Sequence, residues 1–253
     1  MSTAPLFSNE VLEHVNKQLA DLEPAKIIEW AILTIPGLYQ TTAFGLSGLV
    51  TLDIIAKTHP EKSPVDLIFI DTLHHFKETL DLVEKVKQAY PQTALHVYRP
   101  EGVATEQEFA ERYGEKLWDE NELYYDYLVK VEPADRAYKD FNIKGVFTGR
   151  RRSQGAARMD LPIVEVTDTG LIKINPLANW SFQQVQEYIN SNNVPYNALL
   201  DRGYRSVGDY HSTEPVKEGE DERAGRWKGK AKTECGIHDV QRFAELREKP
   251  SSA

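Results

Sequence analysis

The feature that most constrains the fold of this chain is a regular alternation of short apolar strands and amphipathic helices. The run VDLIFI (65–70) is almost wholly apolar, as expected of a strand buried on both faces. The segment after it, 76–90, instead repeats its apolar residues at helical spacing. This alternation indicates an α/β fold, with a mostly parallel twisted sheet covered by helices on both faces. Further predicted strands are 41–44, 95–98 and 145–149, and further helices are 49–57, 105–113 and 119–139.

The two ends of the chain differ from this central part. Helical spacing predicts two helices within the first 35 residues, the second opened by Pro24. Beyond residue 160, two short strands flank a turn at 168–170, and a helix is predicted over 180–190. From residue 203 the sequence is polar, glycine-rich and highly charged. We therefore predict an α/β domain over 1–202, including the N-terminal helices, and a mobile C-terminal arm over 203–253 that ends in a short amphipathic helix.

Composition excludes several classes of protein. The single cysteine, Cys235, excludes an internal disulfide and any all-cysteine metal or iron–sulfur site within one chain. The net charge of −9 argues against general nucleic-acid binding. No apolar run reaches the length of a membrane helix, and the first ten residues do not resemble a secretory signal. We therefore expect a cytoplasmic protein.

Three predicted strand ends carry residues that suit an anion. In open parallel sheets, ligands bind at the carboxyl ends of the strands. The turn FGLSG (44–48), which contains Ser47 and Gly48, precedes a helix whose first amide groups could hold a phosphate. Asp71 follows the strand at 65–70 and could accept hydrogen bonds from a nucleotide. Both motifs also have structural explanations, as a tight turn and as ordinary helix capping.

The third strand end carries three consecutive arginines, Arg150, Arg151 and Arg152, followed by Gln154. Their like charges would crowd unless an anion compensates them. Guanidinium groups bind phosphate through paired hydrogen bonds, so a phosphorylated ligand is favoured over a solvated surface.

Cys235 lies in a polar segment among cations, which lower the pKa of a thiol and favour its reactivity. Thr233 could cap a helix beginning near residue 236, and the N-terminus of that helix would also lower the pKa of the thiol. The Glu234 carboxylate would act in the opposite direction. The alternative is an inert free thiol. The histidines are scattered and give no metal-ligand spacing, so no metal is expected. Two lysines and a histidine lie near Cys235 in the sequence: Lys230, Lys232 and His238.

Taken together, the motifs resemble one family, the 3′-phosphoadenylyl sulfate reductases, and suggest a eukaryotic-type member. KTECGIH (232–238) is the most specific of them. The resemblance implies a fold of the adenine nucleotide alpha-hydrolase type, which is Rossmann-like, in a homodimer whose C-terminal arm closes over the bound nucleotide. The other matching motifs are FGLSG, FIDTLHHFKET, TGRRRSQG, NPLANWS, GYRSVGDYHSTEPV and GEDERAGRW.

The resemblance also implies a reaction within assimilatory sulfate reduction. Cys235 attacks the sulfur of the activated sulfate, and adenosine 3′,5′-bisphosphate leaves. The resulting cysteine S-sulfonate is released as sulfite by reduced thioredoxin, the electron donor. The thiolate and the bisphosphate leaving group suit this chemistry.

Related enzymes that reduce the nucleotide lacking the 3′-phosphate bind an iron–sulfur cluster through a cysteine pair and a C-x-x-C motif. Here 208–212 reads GDYHS, and no cysteine pair precedes Lys130. The resemblance therefore implies no cluster and a phosphorylated substrate.

The resemblance assigns the candidate residues to parts of the substrate. The catalytic set is Cys235, His238 and Lys232. The nucleotide would contact Ser47, Gly48 and Asp71, and its phosphates would contact Arg150, Arg151, Arg152 and Gln154. The phosphosulfate end would contact Arg226, Lys228, Lys232 and His238.

Two other functions remain open on the residues alone. An ATP pyrophosphatase-type ligase or adenylyltransferase on this fold would carry an SGGxDS loop, whereas residues 46–51 read LSGLVT. A nucleotide sensor without catalysis would not need a reactive thiol on an arm.

Overall fold

The computed structural model describes residues 7–155, 158–230, 232, 234, 236–239 and 241–247, so Cys235 and Thr233 lie outside the described residues. The strands are β1 (Leu38–Thr42), β2 (Leu67–Ile70), β3 (Leu95–Tyr98), β4 (Gly145–Phe147), β5 (Val164–Val166) and β6 (Ile172–Ile174). The α-helices are α1 (Asn9–Leu19), α2 (Pro24–Thr34), α3 (Leu46–Thr58), α4 (Lys77–Ala89), α5 (Glu106–Tyr113), α6 (Leu117–Glu120), α7 (Glu122–Asp126), α8 (Glu132–Asp140), α9 (Phe182–Ser191) and α10 (Ala244–Arg247).

The described strands form one sheet in the order β3-β2-β1-β4-β6-β5. All neighbours pair in parallel except β5, which runs antiparallel to β6. The predicted mostly parallel sheet is confirmed. From β1 the chain builds the sheet outward through β2 and β3, then returns to place β4 on the other side of β1. The carboxyl ends of β1 and β4 therefore flank the point where strand order reverses, where such sheets bind ligands.

Strand β2 shows why helices cover both faces of the sheet. Leu67 and Phe69 belong to the larger apolar cluster, which includes residues of α2, α3, α4 and α9. Ile68 and Ile70 point to the opposite face and pack with Ala134 and Ala137 of α8. Burial of each large side chain contributes about 1.5–3 kcal/mol, so the all-apolar strand stabilises both layers.

Several helix and strand boundaries differ from the prediction for local reasons. The helix predicted from residue 180 begins at Phe182 because Ser181 caps it, accepting a hydrogen bond from Gln184 N at 3.1 Å. The strand predicted at 41–44 is β1, which ends at Thr42, and the helix predicted from 49 begins at Leu46.

The helix predicted over 119–139 is interrupted. Asn121 ends α6 and caps α7, accepting from Tyr124 N at 3.1 Å. A π-helical turn, Tyr127–Val131, then separates α7 from α8. Pro133 follows in the first turn of α8; a proline has no N–H to donate, which disturbs the regular hydrogen-bond ladder here.

Part of the C-terminal arm packs against the α/β domain. Asp209, Thr213, Glu222 and Trp227 are buried. The helix expected near residue 236 is not formed: the described residues 236–239 adopt turns, and Gly236 has a φ of +70°, incompatible with a right-handed helix. Among the described helices, none has the length and apolar character needed to cross a membrane.

Candidate functional site

A cavity of about 550 Å³ opens at the point where strand order reverses. We call it the main cavity. Its floor is formed by residues 41–48, which run from the end of β1 to the first turn of α3, and by residues 148–151, which follow β4. Two of the three predicted strand ends, those of β1 and β4, line this cavity, whereas Asp71, which follows β2, does not.

The β1–α3 loop turns tightly enough to present the start of α3 to the main cavity. Phe44 has a φ of +56°, and its N–H donates to Thr42 Oγ1 at 2.8 Å. A Cβ on Gly48 would lie 3.3 Å from Thr42 Oγ1, and a Cβ on Gly149 would lie 3.2 Å from Gly48 N. Gly48 therefore lets the start of α3 pack closely on β1, and Gly149 lets the segment after β4 approach the start of α3. No side chain caps α3, so its first amide groups are available to an anion.

The wall of the main cavity is rich in cations. Seven described arginine and lysine side chains line it, against three carboxylates. This surplus gives a local positive field on an acidic protein, which suits a small polyanion. The cations are Arg150, Arg151, Arg158, Lys173, Arg205, Arg223 and Arg226, and the carboxylates are Glu222, Glu234 and Asp239.

Carboxylates of the chain compensate most of these cations. Arg151 is only 2% exposed and donates to both carboxylate oxygens of Glu222 at 2.7 Å. Its Nε also donates to Ser47 Oγ at 2.8 Å, joining the two loops. Arg150 contacts Glu165. For Arg150 and Arg151 the compensating charge comes from Glu165 and Glu222 of the chain itself, so these two arginines do not need an external anion for charge balance.

The structure brings together seven of the predicted site residues and leaves four others away from the cavity wall. Those that line the main cavity are Ser47, Gly48, Arg150, Arg151, Gln154, Arg226 and His238. Those that do not are Asp71, Arg152, Lys228 and Lys232.

Three of the four outlying residues have other contacts. Asp71 is buried, accepts from Leu73 N at 3.0 Å and pairs with Arg99 Nε at 2.8 Å. Arg152 donates through Nε to Leu161 O at 2.8 Å and contacts Asn179. Lys228 is exposed, with its Nζ 3.4 Å from a Glu214 oxygen.

Lys232, predicted to be catalytic, instead joins a set of buried charges beneath Trp227. Its ammonium contacts Asp126, which Lys130 also contacts at 3.0 Å. Lys130 lies 2.7 Å from Asp209 as well. Burial, and next the neighbouring Lys130 ammonium, lower the pKa of Lys232. We call Asp126, Lys130, Asp209 and Lys232 the buried network.

Three members of the buried network, Asp126, Lys130 and Asp209, lie in or next to the two segments where cluster-binding relatives are expected to carry cysteines. Asp209 accepts a hydrogen bond from Thr72 Oγ1 at 2.6 Å, although the two residues are 137 positions apart in the sequence. Burial opposes ionisation of Asp209, but the Lys130 ammonium holds the pKa of this carboxyl well below its usual range. The space beside it is filled by the stacked rings of Trp118 and His211, whose centroids are 4.3 Å apart. Among the described residues, no group of three or more His, Cys, Asp or Glu side chains is arranged to bind a metal.

His238 is held at the edge of the main cavity by a hydrogen-bonded chain. Its Nε2 lies 2.8 Å from the Tyr138 hydroxyl, which lies 2.9 Å from Thr41 Oγ1. Burial, followed by the positive charges of Lys173 and Arg150, lowers the pKa of His238 to about 3. The imidazole is therefore neutral at physiological pH.

Cys235 itself lies outside the described residues, but its neighbours in the chain contribute to the wall of the main cavity. Glu234 and Gly236 both line it. The Glu234 carboxylate pairs with Arg158 Nε at 2.6 Å and with an Arg223 nitrogen at 3.3 Å. These contacts fix the residue that precedes Cys235 to the cationic wall.

Sequence reasoning did not identify several residues of the site. Lys173 carries no local signal, and Glu222, although it lies within the GEDERAGRW motif, gives no sign of its partner Arg151, 71 residues away. Tyr138 was seen only as part of a long helix. Arg205 lies within the GYRSVGDYHSTEPV motif and could have been selected from it.

Comparison with known families gives one match that covers most of the chain. Residues 37–215 match the family described as the phosphoadenosine phosphosulfate reductase domain.

Curated relatives match over nearly the full chain. A phosphoadenosine phosphosulfate reductase of Saccharomyces cerevisiae is 58% identical over 246 residues, covering 95% of this chain and 94% of the relative. One of Emericella nidulans is also 58% identical, over 92% of this chain and 77% of the relative. An adenosine 5′-phosphosulfate reductase of Halalkalibacterium halodurans is 38% identical over 90% of this chain and 96% of the relative.

The solved structures that match this chain include a reductase of similar sequence and an enzyme that shares only the fold. The phosphate complex of phosphoadenylyl-sulfate reductase from Candida auris is 56% identical, with a TM-score of 0.77, covering 85% of this chain and all of that chain. FMN adenylyltransferase from Candida glabrata superposes with a TM-score of 0.57 at 15% identity, covering 96% of this chain and 85% of that chain, which shows a shared fold alone.

Proposed function

Given that the chain belongs to the phosphoadenosine phosphosulfate reductase family, we propose that it reduces 3′-phosphoadenylyl sulfate to sulfite and adenosine 3′,5′-bisphosphate. It is thus an oxidoreductase of assimilatory sulfate reduction. The observation that carries the proposal is the cationic main cavity at the sheet switch point, lined by both chain neighbours of Cys235.

The main cavity suits the charge of this nucleotide. The first turn of α3, with Ser47 and Gly48, offers amide groups to one phosphate. Arg150 and Arg226 line the same cavity and supply guanidinium donors. A ligand phosphate that binds Arg150 would compete with Glu165, and the binding free energy includes that exchange.

In the first step, the Cys235 thiolate attacks the sulfur of the activated sulfate. The bond between that sulfur and the bridging phosphate oxygen breaks, and the oxygen keeps the electron pair. Adenosine 3′,5′-bisphosphate leaves, and the enzyme carries a cysteine S-sulfonate. Arg223 and Arg226, which line the main cavity, would stabilise the negative charge that develops on the leaving phosphate.

His238 has a role other than general base in this step. With its pKa lowered to about 3, the imidazole is a poor acceptor for the proton of a thiol at neutral pH. A neutral ring held by Tyr138 can instead direct a hydrogen bond towards a sulfonate oxygen. Stabilisation of the thiolate then falls to the surrounding cations.

In the second step, reduced thioredoxin supplies two electrons, because this chain has no second cysteine to form a disulfide with Cys235. A thioredoxin thiolate attacks the Cys235 sulfur, and sulfite leaves with the electron pair of the sulfur–sulfur bond. The second thioredoxin thiolate then displaces Cys235 from the mixed disulfide. Thioredoxin ends as a disulfide and Cys235 as a thiolate.

Four further assignments complete the proposal. The protein works as a homodimer, in the cytoplasm, where a free catalytic thiol stays reduced. Residues 1–202 form the nucleotide-binding α/β domain, and the C-terminal arm 203–253 carries Cys235 and closes over the substrate, which it also contacts. The contacts of Glu234 and His238 with the cavity wall support the role of the arm. No iron–sulfur cluster is required.

Reduction of adenosine 5′-phosphosulfate is the second candidate, because a 38% identical relative carries that name. The 58% identical relatives and the surplus of cations in the main cavity favour the substrate with the additional phosphate.

The experiment that tests the function is sulfite release with reduced thioredoxin from each nucleotide in turn, for the wild type and Cys235→Ser. We expect turnover of 3′-phosphoadenylyl sulfate by the wild type and none by the serine variant. Preference for the nucleotide without the 3′-phosphate would reverse the substrate assignment. Normal turnover by Cys235→Ser would exclude the mechanism, and no turnover of either nucleotide by the wild type would favour a sensor.

A further inference from the structure

The cations that line the main cavity differ in whether a carboxylate of the chain pairs with them. Arg150 and Lys173 both pair with Glu165. Arg151 donates through Nη2 to both carboxylate oxygens of Glu222. Arg158 and Arg223 share Glu234 in the same way. A ligand phosphate that binds any of these cations must compete with a carboxylate of the chain.

Arg205 lines the same cavity in a different setting. Across the described residues, no carboxylate forms an ion pair with it. Its guanidinium carbon instead lies 5.6 Å from the centroid of the Phe182 ring. The side chain is half-buried, so it is ordered against the ring and still reaches the cavity.

Packing against an aromatic ring orients the guanidinium without using up its donors. The attraction acts through the face of the planar group, and the N–H donors lie along its edge. Arg205 can therefore offer a fork of donors to a phosphate, and no chain carboxylate has to be displaced. A lysine at this position would lack the planar fork.

The position of Arg205 relates it to one end of the nucleotide. Residues beside Cys235 enter the main cavity through Glu234 on Arg158 and through His238 on Tyr138. Arg205 forms no ion pair with Glu234 and no hydrogen bond with His238; it packs against Phe182 of α9, which also lines the cavity. The sulfate must lie next to Cys235, so the part of the cavity beside Phe182 is left for the other phosphate of the nucleotide.

We propose that Arg205 binds the 3′-phosphate and makes the main cavity selective for the nucleotide that carries it. This inference rests on the proposed function and assigns the specificity of the same site. It adds a residue that none of the candidate substrate contacts included.

The test compares two nucleotides and two variants by calorimetry on the full chain. The nucleotides are adenosine 3′,5′-bisphosphate and adenosine 5′-monophosphate, which differ only in the 3′-phosphate. The variants are Arg205→Gln and the matched control Arg202→Gln, an exposed arginine three residues away that pairs with Glu78 outside the cavity. Thermal unfolding of each variant checks that the fold is retained.

We expect Arg205→Gln to weaken binding of the bisphosphate by about tenfold or more, the loss of a charge-assisted hydrogen bond, and to leave the monophosphate within about twofold. Arg202→Gln should bind both nucleotides as the wild type does. Equal weakening of both nucleotides would place Arg205 at the 5′ end and overturn the inference, as would unchanged binding of both. Wild type that binds both nucleotides but releases no sulfite would refute the proposed function separately.

Discussion

The main cavity and the buried network are both built from ion pairs, yet they differ in the space between the charges. The main cavity has a volume of about 550 Å³, whereas the small cavity beside Asp126, Lys130 and Lys232 holds only about 10 Å³. Cations that surround open space can exchange a chain carboxylate for a ligand phosphate. Cations without such space can only hold the fold together.

Lys232 illustrates the difference. It belongs to the most specific motif of the sequence, and the resemblance to the family implies a catalytic role. Lys232 lies three residues before Cys235 in the sequence, but its ammonium contacts Asp126 in the buried network. This contact anchors the C-terminal arm to α7, and the catalytic role of Lys232 stays a prediction.

The largest effect should come from breaking the buried network at its centre. Lys130→Met leaves Asp209 buried without its cation, and we expect a loss of about 3–5 kcal/mol in the free energy of unfolding. Urea unfolding measures it. Lys87→Met, which breaks an exposed pair with Glu84, is the control and should change stability by less than about 1 kcal/mol. Equal stability of the two variants would show that the network is not structural.

The second prediction concerns the main cavity. Arg150→Gln should raise the dissociation constant of adenosine 3′,5′-bisphosphate by about tenfold and barely change stability, because Glu165 keeps Lys173 at 3.1 Å as a partner. Titration calorimetry and thermal unfolding measure the two effects. Arg152→Gln is the matched control, since its side chain does not line the cavity, and it should change the affinity less. If Arg152→Gln weakens binding more, the separation of the two arginines is wrong.

Acidification should release the end of the arm before it unfolds the domain. The pKa of His238 falls from 6.5 to about 3 on docking, so the docked arm binds fewer protons and docking weakens as pH falls below 6.5. Asp209, with its pKa below the usual range, keeps its stabilising effect above the unfolded pKa and loses it only at much lower pH.

Between pH 7.5 and 5.5, the docking equilibrium should fall by about tenfold. Hydrogen exchange at residues 236–239, corrected for intrinsic rates, measures it. His238→Gln should remove this pH dependence. Protection that stays constant down to pH 5.5 in the wild type would contradict the account.

The smallest effect should come from Tyr138→Phe, which removes the hydroxyl that contacts His238 and Thr41. We expect kcat for sulfite release to fall by about threefold, the value of one neutral hydrogen bond, with the affinity for the bisphosphate unchanged. Steady-state kinetics and calorimetry separate the two. A change in affinity with unchanged kcat would place Tyr138 in nucleotide binding rather than in positioning His238.

The sequence predicted the layers of the fold well because they depend on local periodicity. Strand 95–98 was found at its observed bounds, and β2 lies within its predicted range. The π-helical turn after Asp126 was missed because apolar spacing alone does not distinguish a continuous helix from one with a local change of hydrogen bonding.

The site was predicted in part. Ser47 and Gly48 follow a strand end and could be placed by topology. The partners that decide what each cation does could not be placed this way: Glu222 lies 71 residues from Arg151, and Asp126 lies 106 residues from Lys232. Such pairs leave no pattern in one sequence. Contacts of this kind distinguish Arg150 and Arg151, which line the main cavity, from Arg152, which does not.

The central claim is that the sulfonate passes from the nucleotide to Cys235. Intact-mass analysis of the full chain after mixing with 3′-phosphoadenylyl sulfate, without thioredoxin, tests it directly. The account predicts a mass gain of one sulfonate per chain, located on Cys235, with one equivalent of bisphosphate released and sulfite appearing only when reduced thioredoxin is added. Release of sulfite from an unmodified protein, or a sulfonate on any other residue, would contradict it.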